Sequence, residues 1–340
     1  MRALGRTLLL APLVVCFGMA CQTPSPAQEA AGPRWPAEPA TARIRWVTEI
    51  RQPADMGIRP GWLRRLWDWV AGHEEARMIR PHGVAVDAGG RLWVTDPGAR
   101  RVHVFDPVKG QYKSLPGEDV DPFGSPIGVT HDPAGVAYVS DSARNLIRRF
   151  APDGAHLGDW DAGGALARPT GVAFDERTGL LWVADTGSHR LLGLDSEGRI
   201  RRYIGDRGKE HGLFNFPTHV TIGPSGRMVV TDTLNFRVQI FSPEGEPLAA
   251  LGEVGDGPGS LSRPKGVALD GEGHIYVVDA LFDNIQIFDE RGRLLLFFGD
   301  HGAGPGEFWL PAGMCIVGGD RIYVADAYNQ RVQVFEYLAQ

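Results

Sequence analysis

Residues 264–299 read PKGVALDGEGHIYVVDALFDNIQIFDERGRLLLFFG. Apolar and polar residues alternate through four short runs, and the segments between them are short and rich in Gly, Asp and Asn. Such a pattern predicts four consecutive strands paired antiparallel, because side chains in a strand point alternately to its two faces. A lone unit of this size cannot bury both faces of its sheet, so it needs neighbours of the same kind.

The neighbours are in the sequence. The opening proline and its apolar followers recur as PHGVAVD from Pro81, PIGVTHD from Pro126, PTGVAFD from Pro169, PTHVTIG from Pro217 and PAGMCIV from Pro311. An aspartate closes the second strand of each copy: Asp96, Asp141, Asp185, Asp232, Asp279 and Asp326. An apolar residue follows in the third strand (Phe105, Phe150, Leu194, Phe241, Phe288, Phe335), and another precedes the proline (Met78, Phe123, Leu166, Phe214, Leu261, Phe308). Six four-stranded units in a ring bury their faces against one another, which makes the expected fold all-β, a six-bladed β-propeller. The runs PHGVAVD, RIYVAD (321–326) and NQRVQVF (329–335) resemble the NHL repeat, and the resemblance spans about residues 43–340.

Blades one to five each carry a fourth, outer strand, near residues 111–115, 156–160, 199–204, 247–251 and 293–298, whereas the sixth ends after its third. ARIRWVTEI (42–50) reads as a strand without a repeat of its own, so it is expected to pair with residues 331–336 and close the ring. Between it and blade one, residues 51–80 form an insertion. Within that insertion Trp62, Leu63, Leu66, Trp67 and Val70 recur at helical spacing, which predicts a short amphipathic helix over 61–70.

Residues 1–20 have a basic start and an apolar run ending in a small residue, and read as a signal peptide. Cys21 follows, and with it a Pro/Ala/Glu-rich flexible linker to Thr41. This resembles a bacterial lipoprotein signal with Cys21 lipidated, although Gly18 departs from the usual leucine; ordinary cleavage and secretion is the alternative. Gln22 in place of aspartate implies the outer membrane, with the protein lipid-anchored and facing the periplasm. The chain has three cysteines, so with Cys21 acylated no intramolecular disulfide remains. With 35 Lys and Arg against 41 Asp and Glu the net charge is −6, which excludes a general nucleic-acid binder.

Six aspartates, one per blade, answer a need of every blade, and turn-forming is the expected role. Function belongs where blades differ. The residue after each proline is His82, Ile127, Thr170, Thr218, Lys265 or Ala312, and the next is glycine everywhere except His219. His82 and His219 stand on opposite blades and could meet at the pore mouth with Lys265. His131 is expected as a hydrogen-bonded core histidine, and Cys315 as a small buried residue. Phe216, Phe236, Phe282, Trp309 and Tyr328 lie in loops of the same face, together with Trp62 and Trp69 of the expected helix.

The sequence points to a non-catalytic scaffold that binds a ligand or an exported or envelope protein, as a monomer or within a heteromeric complex. No cofactor or metal is expected. The alternative is a metal-dependent lyase or hydrolase: the chain is similar to the propeller of the peptidyl-α-hydroxyglycine amidating lyase, which implies a zinc-binding role for His82, with His219 one residue out of register. The axial positions lack the acidic and amide residues of calcium-dependent propeller lactonases.

Overall fold

The four runs of the fifth repeat form strands Pro264–Leu269, Ile275–Asp279, Asn284–Phe288 and Leu294–Phe298, hydrogen-bonded in that order and antiparallel throughout. The computed structural model describes residues 32–58, 77–117 and 120–338. Blades one to four repeat the arrangement, and six blades form the ring. Every inner strand begins at or just after its proline and runs along the axis.

Each seam between adjacent blades holds one apolar cluster. Phe123, Val129 and Phe150 pack with Trp93 and Val104 between blades one and two, and Leu191, Phe214 and Phe241 lie between blades three and four. Tyr276, Phe298, Phe308 and Phe335 fill the seam between blades five and six. At about 25 cal/mol per Å² of buried apolar surface, these six clusters are the main source of stability in a fold whose described residues contain no disulfide.

Strand Ile44–Ile50 pairs antiparallel with Arg331–Tyr337 and completes blade six, as the missing outer strand predicts. The register sets Trp46 against Phe335 and Ile50 against Val332, with an irregularity between Trp46 and Thr48. Trp46 donates its indole N–H to the Gln333 amide oxygen at 3.0 Å, and Arg45 bonds Glu336. Arg331, almost wholly buried, is saturated: it bonds Asp326 and Glu49 and the carbonyls of Ala303, Gly304 and Glu307.

The fold extends further toward the N-terminus than the composition suggests. Residues 32–41, expected as the end of a linker, are seated on the propeller, and Arg34–Trp35 adds a fifth strand to blade six. Trp35 packs 5.6 Å from the Phe298 ring and 5.9 Å from Phe335. Partly burying this indole offsets the entropic cost of ordering a proline-rich stretch. Of the insertion, residues 51–58 contain a 3-10 turn at Pro53–Met56 and a buried Ile58. The expected helix 61–70 lies outside the described residues, as do the signal segment, Cys21, Trp62 and Trp69. Among the described residues no helix is long and apolar enough to cross a membrane.

Candidate functional site

One end of the ring gathers the residues in which blades differ. In blades two to six the proline that opens the inner strand is paired with the aspartate that closes the second, as Pro264 with Asp279. The crossing into each blade and the hairpin after its aspartate therefore share one face. The carboxylates hold that face together. Asp141 accepts from the backbone N–H groups of Gly124 and Ser125 at 2.7 and 2.8 Å, and Asp279 from those of Ser262 and Arg263 at 2.6 and 3.0 Å. Arg190, Arg237 and Arg331 also reach the aspartate of their own hairpin, whereas Arg101 does not; His103 takes that place beside Asp96. The repeated aspartates are thus spent on loop geometry.

Adjacent blades are fastened by two further devices. At Gly171 a Cβ would stand 2.6 Å from the His219 Cα, so only glycine permits the inner strands to approach this closely. Hydroxyls then bridge the seam: Thr95 donates to the Ile127 carbonyl at 2.7 Å, and Thr231 to that of Lys265 at 2.6 Å. The hairpin residues Asn145, His189 and Asp283, all at positive φ, accept from the backbone N–H groups of Arg168, Phe216 and Leu310 in the next blade.

On this frame the axial residues are fixed from behind. The His82 N–H donates to the Thr95 carbonyl and its own carbonyl accepts from Gly313, each at 2.8 Å, so the imidazole is placed by blades one and six together. Burial pushes the His82 pKa down to about 3, with the charges of Lys265 and His219 acting in the same direction, while a hydrogen bond to the Ile127 carbonyl opposes them. Burial likewise takes His219 down to about 4. Lys265 falls to about 8, first through burial and then through Arg263 and Arg80. His82, His219 and Lys265 therefore share one electrostatic neighbourhood at the mouth. His219 also lines a cavity of about 350 Å³ that runs down the axis past Val129, Val172 and Cys315.

The other candidates are dispersed. His189 uses Nδ1 to accept the Phe216 N–H and packs edge-on against its ring at 4.3 Å. His131, expected to be hydrogen-bonded, has no partner for its buried Nε2. Its ring lies 4.9 Å from Trp93, and the Asp87 oxygen that might have served it accepts from Trp93 and Arg91 instead. Burial brings its pKa down to about 4. Cys315 is only partly buried, yet its thiol is pushed up to about 12 by desolvation. Among the described residues no three His, Cys, Asp or Glu side chains converge as a metal set.

Of the five loop aromatics, Phe216, Phe236 and Phe282 are half-buried, whereas Trp309 and Tyr328 are 47% and 48% exposed with ring centroids 5.5 Å apart. Leu234 and Leu281, exposed at matching hairpin positions of blades four and five, and Ile79 at the entry to blade one extend the apolar character of this face. The sequence reading missed these three, as it did Arg80 and Arg263 beside the mouth. Their signal was available: each stands at a fixed offset from a repeated aspartate or proline.

Comparison with known proteins agrees with the architecture. The NHL repeat family model matches residues 78–105, 166–194 and 308–335. Peptidylglycine alpha-amidating monooxygenase from Rattus norvegicus is 33% identical over 100 residues, covering 26% of this chain and 10% of that protein. NHL repeat-containing protein 3 from Mus musculus is 29% identical over 134 residues, covering 36% of this chain and 38% of that protein. The chain thus matches only a tenth of the first and under two fifths of the second. The structure of virginiamycin B lyase from Staphylococcus aureus superposes with a TM-score of 0.54 at 18% identity, covering 76% of this chain and 96% of that one, a likeness of fold alone. Repeat, register and family model converge on one statement: this chain is a six-bladed β-propeller, three of whose blades match the NHL repeat.

Proposed function

We propose that this propeller is a non-catalytic scaffold of the bacterial cell envelope, anchored through lipidated Cys21, which holds an exported or envelope protein on the face where its inner strands begin. The observation that carries the reading is the exposed Trp309–Tyr328 pair, with Leu234, Leu281 and Ile79 exposed on the same face. Exposed aromatic and apolar side chains grouped on one face are characteristic of binding surfaces. The repeated aspartates, which might have supplied acid–base groups, are committed to backbone N–H donors.

Two experiments test this reading. Full-length protein captured from detergent-solubilised membranes should bring down a defined envelope protein, and Trp309→Ala with Tyr328→Ala should lose it while changing stability by less than about 1 kcal/mol, as fits exposed positions. Equal recovery by wild type and variant would refute the surface. Cys21→Ala should move the protein from the membrane to the soluble fraction and remove the acyl mass; unchanged partition would refute the anchor.

A second reading, a metal-dependent lyase, draws on the shared mouth of His82 and His219 and on the similarity to the amidating enzyme. The donors present there are two imidazoles and a lysine, while His131 packs against Trp93 and His189 accepts the Phe216 N–H. That set does not fit a three-histidine zinc site. Stoichiometric zinc in the purified protein, lost in His82→Ala, would reverse the preference.

A further inference from the structure

Among the described residues, the mouth of the axial channel is cationic and has no counter-charge. Lys265 occupies the axial position of blade five, and its ammonium makes no hydrogen bond or ion pair to any described residue. Among the described residues, the charged groups that act on it are Arg263 and Arg80, both basic. Arg80 acts on His82 as well, so it faces two axial residues from different blades. Arg80 and Arg263 each stand immediately before a proline, as does Arg168, whose guanidinium lies 5.8 Å from the centre of the Phe216 ring at the rim. These arginines belong to alternate blades, one, three and five.

Carboxylates do lie nearby in the chain, but they are committed. Asp96 accepts the backbone N–H groups of Ile79 and Arg80, and Asp279 those of Ser262 and Arg263. Neither forms an ion pair with the Arg80 or Arg263 side chain. A protein of net charge −6 has therefore concentrated at one opening positive charge that has no acidic partner among the described residues. Even half-burying a lysine without an acidic partner has a cost, which an anion supplying the missing charge would offset. The nearly neutral imidazoles of His82 and His219 can add N–H donors without adding to the repulsion.

We propose that this mouth is a binding site for a small oxyanion, a phosphate or carboxylate group held by Lys265, Arg80 and Arg263 with His82 and His219 as further donors. The site deepens the binding reading of this face by assigning a ligand class to the axial residues. The axial cavity beside His219 gives the rest of such a molecule room to extend.

The test is titration calorimetry on the full-length protein at low salt, with inorganic phosphate in one arm and citrate in the other. Saturable one-site binding is expected in at least one arm, and which arm identifies the group. Lys265→Met should weaken it at least tenfold, Arg80→Gln and Arg263→Gln several-fold each, and Arg293→Gln in the turn before an outer strand not at all. Arg80 and Arg263 are exposed, so their variants keep the test valid should Lys265→Met fold poorly. No binding in either arm, or variants that bind as the wild type does, would overturn the site. Absence of anion binding by the wild type with envelope-protein capture intact would confine the failure to this inference and leave the scaffold reading standing.

Discussion

Truncating the closing strand tests what holds the ring. Ile44 and Ile50 are 0% and 3% exposed, and they sit in different seams: Ile44 with Phe308 and Phe335 between blades five and six, Ile50 with Val332 and Val334 between blades six and one. Ile44→Ala or Ile50→Ala leaves a cavity and should cost about 2–5 kcal/mol. Because the two sites share no seam, their effects should add, to about 4–10 kcal/mol. That is comparable with the whole stability of an ordinary domain, about 5–15 kcal/mol. Arg45→Ala, by contrast, removes an ion pair to Glu336 whose arginine is 46% exposed, and should cost no more than about 1 kcal/mol. Urea unfolding followed by tryptophan fluorescence separates these outcomes through the midpoint at constant slope. A double variant within about 1 kcal/mol of wild type would refute the argument that this strand closes the ring.

Two further predictions concern desolvated titratable groups. His82 and His219 are held at about 3 and about 4 in the folded protein against 6.5 when free, so only the unfolded chain gains their protons as the medium is acidified. Stability should be full above about pH 6.5 and fall as pH drops from there toward 3–4. His82→Gln should flatten the fall in urea midpoint between pH 6.5 and 4.5, and an unchanged slope would contradict the burial. Cys315, pushed up to about 12, is a thiol and not a thiolate at pH 8. The native wild type and Cys315→Ala should show equal counts of reactive thiols by aromatic disulfide titration, the wild type gaining one more in guanidinium.

The ring was legible because its physical cause repeats. A proline, an aspartate and two apolar anchors at fixed offsets cannot recur six times without six like units, and a sixth unit lacking an outer strand advertises its own missing partner. The cationic mouth was harder to see. Arg80, Arg168 and Arg263 are separated by 88 and 95 residues of sequence and become a set only through the pre-proline position they share. Composition misled at residues 32–41, where proline and alanine look like linker; the single indole of Trp35 outweighs them once Phe298 and Phe335 offer it a surface. His131 was misjudged for another reason: its ring packs against Trp93 and its buried Nε2 finds no partner, a detail of seam packing that leaves no trace in sequence.

The pairing of Ile44–Ile50 with Arg331–Tyr337 also sets a timetable. Arg45 and Glu336 are 291 positions apart, the kind of contact whose loop-closure cost must be met before any reward. During synthesis the strand bearing Ile44 and Ile50 emerges early, while its partner appears only after all five preceding blades have been made. Those blades can assemble on one another seam by seam as they arrive. The first strand meanwhile waits with the edge that will pair residues 331–337, and its apolar face, unsatisfied. The interval before residues 331–337 emerge is therefore when this chain is most exposed to wrong pairing, and its length grows with every blade inserted into the ring.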